Sequence, residues 1–182
     1  MSYEKALYVI ERKDPKYPAL LEKRLGNDAP VCLWVIGNYE LIKLPKTAFF
    51  CSSRCPGDAI LAAMDKARQW RDEGRCIISG FHSAVEKECL KILLRGNHPI
   101  IICPARSLAN MRIPRDWRRD IETGRILLLS PFDPSQRRLT SALAEERNRF
   151  AAALANDVYF TYIAPEGKTA QLTKQVAEWV IQ

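Results

Sequence analysis

Short apolar runs of strand length alternate along the chain with longer segments in which apolar residues recur at helical spacing. Beyond residue 45, apolar runs occur at 47–51, 76–78, 99–103, 126–129 and 158–163. Helical patterns follow them at 57–71, 83–95, 114–122, 140–156 and 168–181. Strands that alternate with helices in this way are typical of a parallel sheet with right-handed crossovers. We therefore predict an α/β, Rossmann-like fold, with a mostly parallel sheet of five or more strands and helices on both faces.

The first 45 residues have a more broken pattern. A turn at 14–18 precedes a short helix at 19–25, and a further apolar run at 31–36 is closed by Gly37-Asn38. Residues 1–13 give no clear element. We predict that residues 1–45 form a lead-in segment packed on the core and that residues 46–182 form the Rossmann-like domain. At 182 residues, the whole chain has the length of one compact domain.

The stretch 46–70 reads as a strand, a polar turn and a helix. The strand ends in Ser52-Ser53-Arg54, and Pro56-Gly57-Asp58 supplies the signals that start the helix. Small hydroxyls, backbone N–H groups and one arginine thus lie where a helix N-terminus favours an anion.

Two more polar turns follow predicted strands. Ser79-Gly80 ends one strand, and a glycine there permits a positive φ or the close approach of a ligand. Gly167-Lys168-Thr169 opens the last helix, although the full nucleoside-triphosphate loop pattern is absent. Because ligands of such sheets bind beyond the carboxyl ends of the strands, we predict one phosphate-binding cleft there. Its predicted residues are Ser52, Ser53, Arg54, Ser79, Gly80, Arg147, Asn148, Gly167, Lys168 and Thr169.

Arg147 and Asn148 enter this prediction through the long alanine-rich helix. Arg147 shares one helical stripe with Leu143, Phe150 and Leu154, so it should face the sheet. A buried guanidinium needs a carboxylate, backbone carbonyls or a bound anion. An internal ion pair is the alternative to a ligand.

Charge gives weaker guidance. The formal net charge is +7, from 28 Lys and Arg against 21 Asp and Glu, which suits a polyanionic partner. Two basic groups near loops add to it, namely Arg112, Arg115, Arg118 and Arg119, then Arg137 and Arg138.

The sequence indicates neither a metal site nor a cofactor. The six cysteines form no CxxC pair and the two histidines have no metal spacing with them, so we expect free, mostly buried thiols. No catalytic triad or paired catalytic carboxylates stand out, which favours a protein that is not an enzyme. No apolar run has membrane-spanning length and residues 1–4 do not begin a signal peptide, so we expect a cytoplasmic protein without membrane contact.

Taken together, these segments resemble the DNA-processing protein A family (DprA, also called Smf), within the superfamily that also holds the LOG proteins. The resemblance runs from about residue 14 to 175. It rests on the lead-in Tyr17-Pro18, Leu21, Pro30, Leu33-Trp34 and Gly37-Asn38, and on the later Cys51-Ser52-Ser53-Arg54, Ile78-Ser79-Gly80, Arg147-Asn148-Arg149 and Gly167-Lys168-Thr169-Ala170. The chain departs from the family in Ser52, where a glycine is usual, and in Ala84-Val85-Glu86, which replaces Gly-Ile-Asp.

The resemblance implies an extended Rossmann-like domain that binds single-stranded DNA, forms a homodimer and helps to load a RecA-type recombinase. Two alternatives stay open. The cleft could hold a nucleotide, as a sensor or as a LOG-type hydrolase, although Glu166 lies within its turn and the double glycine of such hydrolases is missing. The chain could also be a scaffold with an empty pocket.

Overall fold

The structure, a computed structural model, describes residues 6–109, 111–165 and 167–180. Its strands are β1 Leu7–Glu11, β2 Cys32–Gly37, β3 Lys46–Phe50, β4 Cys76–Ser79, β5 Ile100–Ile102, β6 Ile126–Ser130 and β7 Asp157–Phe160. Its helices are α1 Ala19–Leu25, α2 Gly57–Asp72, α3 Ala84–Leu93, α4 Arg115–Glu122, α5 Ser141–Leu154 and α6 Lys168–Val180. Single 3₁₀ segments lie at Gly26–Asp28 and Tyr39–Lys43.

All seven strands join one sheet in the order β1-β2-β6-β5-β4-β3-β7. The five strands from β3 to β7 are parallel to one another, whereas β1 and β2 add an antiparallel edge that joins the sheet at β6. This arrangement confirms the predicted mostly parallel α/β fold.

Helices cover both faces of the sheet because its central strands are apolar on both sides. Phe49 of β3 packs edge-on against Trp70 of α2 at 5.5 Å between ring centroids, within the layer that also holds α3 and α4. Its neighbour Phe50 points to the opposite layer, where Leu21 of α1, Phe150 of α5 and Leu172 of α6 pack.

The lead-in segment fixes one end of α5. Arg24 of α1 donates hydrogen bonds to the carbonyls of Ala152, Ala153 and Ala155, where α5 ends. A cation there offsets the negative end of the helix dipole. Arg149 of α5 also pairs with Asp28 at 3.0 Å. Because α5 carries Arg147, these contacts help to place the predicted site.

Two strands differ from the sequence prediction. Strand β1 was not predicted, because it lies at the sheet edge and only Ile10 of its five residues is buried. Strand β7 ends at Phe160, so Ile163 lies in the following loop and not in the strand. The two chains stay hydrogen-bonded beyond Phe50 and Phe160, the last paired residues of β3 and β7. Ser52 donates its N–H to the carbonyl of Tyr162 at 3.2 Å.

Gly37 explains why the lead-in closes with Gly-Asn. Its φ is +106°, and a Cβ at this position would lie 2.5 Å from the carbonyl oxygen of Ile126 in β6. Only glycine fits both the backbone conformation and the close approach. Asn38 then accepts the N–H of Glu40 with its side chain and starts the 3₁₀ segment.

His98 lies just before β5 and is 4% exposed. Among the residues that the structure describes, neither ring nitrogen has a hydrogen-bond partner. Burial, together with the charges of the nearby Arg125 and Arg71, lowers the pKa of His98 to about 4.

This buried histidine predicts a pH-dependent stability. The unfolded chain takes up a proton near pH 6.5 while the folded chain does not, so the free energy of unfolding falls as pH drops from 6.5 towards 4. At about 1.4 kcal/mol per pH unit, we expect a loss of about 2 kcal/mol between pH 6.5 and 5. Urea unfolding of the wild type at pH 7, 6 and 5 measures it, and His98→Leu should flatten the dependence. Equal slopes for both proteins would contradict the assignment.

Candidate functional site

The loops at the carboxyl ends of β3, β4, β6 and β7 meet at one edge of the sheet. Strands β3 and β7 are neighbours, but the chain leaves β3 for α2 on one face and leaves β7 for α6 on the other. Such a switch point opens a crevice between adjacent loops.

A cleft of about 530 Å³ occupies this edge. The helix N-termini of α3, α5 and α6 reach it through their first residues or caps, which are Ser83, Thr140, Ser141, Lys168 and Thr169. Ser53, Arg147 and Asn148 also line it. The cleft therefore collects five of the predicted residues, Ser53, Arg147, Asn148, Lys168 and Thr169. Three positive helix ends at one cleft favour a negative ligand.

Arg147 forms part of the cleft and is 3% exposed, as its apolar stripe predicts. Its Nη1 donates to the carbonyl of Cys103 at 3.0 Å, and its Nε donates to Oδ1 of Asn148 at 2.7 Å. Burial lowers the pKa of the guanidinium, and the charge of Glu86 opposes this effect. A buried guanidinium near a carboxylate that it does not touch keeps capacity for a further anion.

Gly80 has a different role from the predicted one. Its φ is not positive, and a Cβ there would lie 1.3 Å from Nη1 of Arg147. The glycine therefore makes room for the guanidinium. Ser79 is fully buried, and its hydroxyl accepts the N–H of Phe81 at 3.2 Å, so Ser79 does not line the cleft.

Ser52 connects two of the loops and does not face the cleft. Its hydroxyl donates to Oγ1 of Thr169 at 3.1 Å and accepts the N–H of Ala164 at 3.0 Å. A glycine at this position could not make these contacts. Ser52 thereby holds the loop after β3 against the loop after β7.

The remaining predicted residues vary in position. Arg54 is exposed in its turn and does not line the cleft. Gly167 donates its N–H to the carbonyl of Ala164 at 3.1 Å, so this group is already used within the turn. Lys168 donates to Glu145 and Ser141 of α5, which hold its ammonium at one side of the cleft. Glu166 lies outside the described residues.

Glu86 was missed as a site residue by the sequence analysis. Its carboxylate is buried and accepts three backbone N–H groups, from Cys51 at 3.0 Å, His82 at 2.8 Å and Ser83 at 3.1 Å. It thus ties the end of β3 to the loop after β4. The sequence does contain a local signal for this residue, because Ser83 and Glu86 form a capping box of the pattern S-x-x-E.

His82 is a second residue that was missed. It is exposed, lines the cleft and follows Phe81, which has the positive φ of 48° that side chains rarely adopt. Partial burial lowers the pKa of His82, and the charges of Arg147 and Lys87 lower it further. The charge of Glu86 opposes this effect, and the lowered pKa favours the uncharged ring.

Each of the six cysteines is a free thiol. Within the described ranges, no group of three or more His, Cys, Asp or Glu side chains is arranged to hold a metal ion. None of the described helices is long and apolar enough to cross a membrane.

Two solved structures share this fold. DprA from Streptococcus pneumoniae has a TM-score of 0.76 and 22% sequence identity, over 95% of this chain and 60% of that chain. DprA from Helicobacter pylori, whose structure concerns its single-stranded DNA binding mode, has a TM-score of 0.72 and 18% identity, over 98% of this chain and 80% of that chain. The chain thus spans about 60% of the length of the pneumococcal protein. No curated protein matches the chain.

The model of the family described as DNA recombination-mediator protein A matches residues 8–178. This match includes most of the lead-in, all five parallel strands and every residue of the cleft. The chain therefore belongs to the DNA recombination-mediator protein A family.

Proposed function

We propose that this protein binds single-stranded DNA at the cleft, without catalysis, and acts in DNA processing, uptake or recombination. The observation that carries this proposal is the convergence of three helix N-termini and the buried Arg147 on one cleft. These donors suit the phosphates of a DNA backbone, because helix N-termini and a guanidinium can bind a phosphate without a metal ion. Membership of the family supports the same class of ligand.

Exposed arginines on loops that follow the parallel strands support a path for a strand that is longer than one phosphate. Arg137 and Arg138 are exposed in the loop that leads into α5. This loop is joined to the one after β5, since Ser107 donates its N–H to the carbonyl of Gln136 at 2.8 Å. The loop after β5 leads towards the exposed Arg112. Guanidinium groups bind phosphates in bidentate fashion.

We further propose that this chain works beside a RecA-type recombinase and forms a homodimer, which its family membership supports. We also propose that it acts in the cytoplasm.

A mononucleotide is the second candidate ligand, because the cleft volume of about 530 Å³ lies in the range of small-molecule sites. A sensor fits this reading better than a hydrolase. The carboxylate of Glu86 is already held by three backbone N–H groups, which leaves it poorly placed as a general base.

Binding across salt separates the two ligands. A labelled strand of about 20 nucleotides exceeds a typical site of about 4–16 nucleotides. We expect its affinity to fall steeply between about 50 and 200 mM salt, while duplex DNA and mononucleotides bind more weakly. Tight mononucleotide binding that changes little with salt, with no binding of the strand, would overturn DNA binding in favour of a sensor.

Arg54→Ala should weaken strand binding about fivefold and leave the melting temperature unchanged. The residue is exposed and follows Ser53, which lines the cleft, and an exposed charged contact contributes about 1 kcal/mol. Anisotropy titrations across salt measure this loss, together with a shallower salt slope. Arg95→Ala is the matched control, because Arg95 is also exposed but follows α3 at the opposite edge of the sheet. An equal loss in both variants would show a general charge effect and remove Arg54 from the site.

A further inference from the structure

We propose that Cys51 and Cys55 form a redox modification site, at which hydrogen peroxide joins the two thiols in a disulfide that closes the loop after β3. Both cysteines are free thiols in the structure. The residues between them are Ser52, Ser53 and Arg54, so the bond would act on a loop that reaches the cleft through Ser53. Only the effect of this disulfide on DNA binding rests on the proposed function.

The two thiols lie close together in space. Cys51 follows β3 and is 6% exposed, and the half-buried Cys55 packs against the same apolar layer. Sγ of Cys51 donates to the carbonyl of Ser52 at 3.5 Å and is within hydrogen-bonding reach of the Cys55 thiol. A disulfide needs Cα atoms about 4.4–6.8 Å apart, a separation that residues at the two ends of a tight turn can adopt.

A third thiol, that of Cys89 in α3, packs in the same layer but is a poorer partner. It is fully buried, and its backbone is held within the helix. Cys51 and Cys55 instead lie at the two ends of one loop, which can close by a small change in its own backbone. The structure therefore favours the bond between Cys51 and Cys55 over either bond to Cys89.

The exposure of the two thiols sets the order of the reaction. Cys55 is the more exposed, so it meets the peroxide first. Its sulfur attacks one peroxide oxygen and breaks the O–O bond, which gives a sulfenic acid on Cys55 and one water. Sγ of Cys51 then attacks the sulfenic sulfur, the S–O bond breaks as the S–S bond forms, and the thiol proton leaves with the hydroxide as a second water. The two thiols thus give two electrons to one peroxide molecule.

Burial and the contact with Cys55 raise the pKa of Cys51, which keeps its thiol protonated and suits it to the second step. Dithiol reductants reverse such a bond, so in a reducing compartment it is transient and acts as a redox sensor.

The disulfide changes the loop that it closes. Ser52 holds this loop in place through its hydroxyl, which bonds to Thr169 and to the N–H of Ala164. Drawing Cys55 towards Cys51 moves Ser53 and Arg54 within a closed ring. We therefore expect oxidation to lower the affinity for a single strand about fivefold, as much as the loss of one exposed charged contact.

Tryptic mass mapping of the folded protein after peroxide treatment tests the disulfide. Trypsin cleaves after Arg54, and each cysteine falls in a different tryptic peptide, so every pairing has its own mass. After an acid quench and alkylation of the remaining thiols, the wild type should yield peptides 47–54 and 55–66 joined by a reducible bond. Cys55→Ser should not form this product, and its strand affinity should match that of the reduced wild type and resist peroxide. Cys32→Ser is the matched control, because it removes another half-buried thiol and should behave as the wild type.

Three results would overturn the site. One is a product in which Cys55 is joined to Cys89, and another is a Cys55 that is oxidised to sulfinic acid with no joined peptides. The third is the same mixture of pairings from the folded protein as from protein oxidised in urea, because the native structure would then not select the pair. A joined pair that leaves strand affinity unchanged would overturn its effect on binding. If the reduced wild type binds no strand at all, the proposed function fails, while the joined peptides still establish the modification site.

Discussion

Glu86→Ala is expected to lower the free energy of unfolding by about 3–4 kcal/mol, which would be a large effect for one substitution. The carboxylate that it removes accepts the backbone N–H groups of Cys51, His82 and Ser83. Leaving a buried donor without an acceptor costs about 1–3 kcal/mol, and some of this is recovered by water entering from the cleft. The capping box of α3 is lost with the same side chain.

Urea unfolding followed by tryptophan fluorescence, to which the buried Trp70 contributes, measures this loss. Glu88→Ala is the matched control on the same helix, because Glu88 is exposed and pairs only with Lys91 in an exposed i,i+3 salt bridge among the described residues. Such pairs contribute about 0.5 kcal/mol or less. If Glu86→Ala costs no more than Glu88→Ala, the three N–H groups do not depend on the carboxylate, and Glu86 is not what joins β3 to the loop after β4.

The parallel part of the fold could be predicted because its strands are buried on both faces. Such strands appear in the sequence as continuous apolar runs, as in Ile126–Ser130. The segments between them have helical spacing, and strands that alternate with helices predict a parallel sheet. The edge strand β1 could not be predicted in this way. With one buried residue, its sequence carries almost no alternation, and its pairing with β2 depends on residues about 25 positions away along the chain.

The candidate site could be predicted in outline but not in detail. Strand ends and the stripe of α5 place Ser53 and Arg147 at one edge, because parallel strands bring their carboxyl ends together. The use of each polar group depends on its neighbours in space. The sequence predicts Ser79 and Gly167 as ligand contacts. In the structure, however, the hydroxyl of Ser79 and the N–H of Gly167 already form hydrogen bonds within their own turns. The pairing of Lys168 with Glu145 joins two helices and has no local signal.

Gly80→Ala is expected to lower the free energy of unfolding by about 2–3 kcal/mol, because the new methyl group would occupy the place of the Arg147 guanidinium. The guanidinium would have to leave the carbonyl of Cys103, to which it now donates at 3.0 Å. That buried carbonyl would then lose its charged donor. Gly57→Ala is the matched control at the same edge of the sheet, since a Cβ there meets no atom within 4 Å and should leave stability unchanged or slightly raised.

A double-mutant cycle identifies the cause of the loss. If the overlap with Arg147 is responsible, Gly80→Ala should cost almost nothing in an Arg147→Ala background, because the three atoms nearest to the added Cβ all belong to the Arg147 guanidinium. The coupling between the two substitutions should therefore be about 2 kcal/mol, against about zero for Gly57→Ala with Arg147→Ala. A cost for Gly80→Ala that is the same in both backgrounds would place the strain in the backbone after β4. In that case the backbone conformation at residue 80 would require glycine. The position of Arg147 would then be set by α5 and would not depend on Gly80.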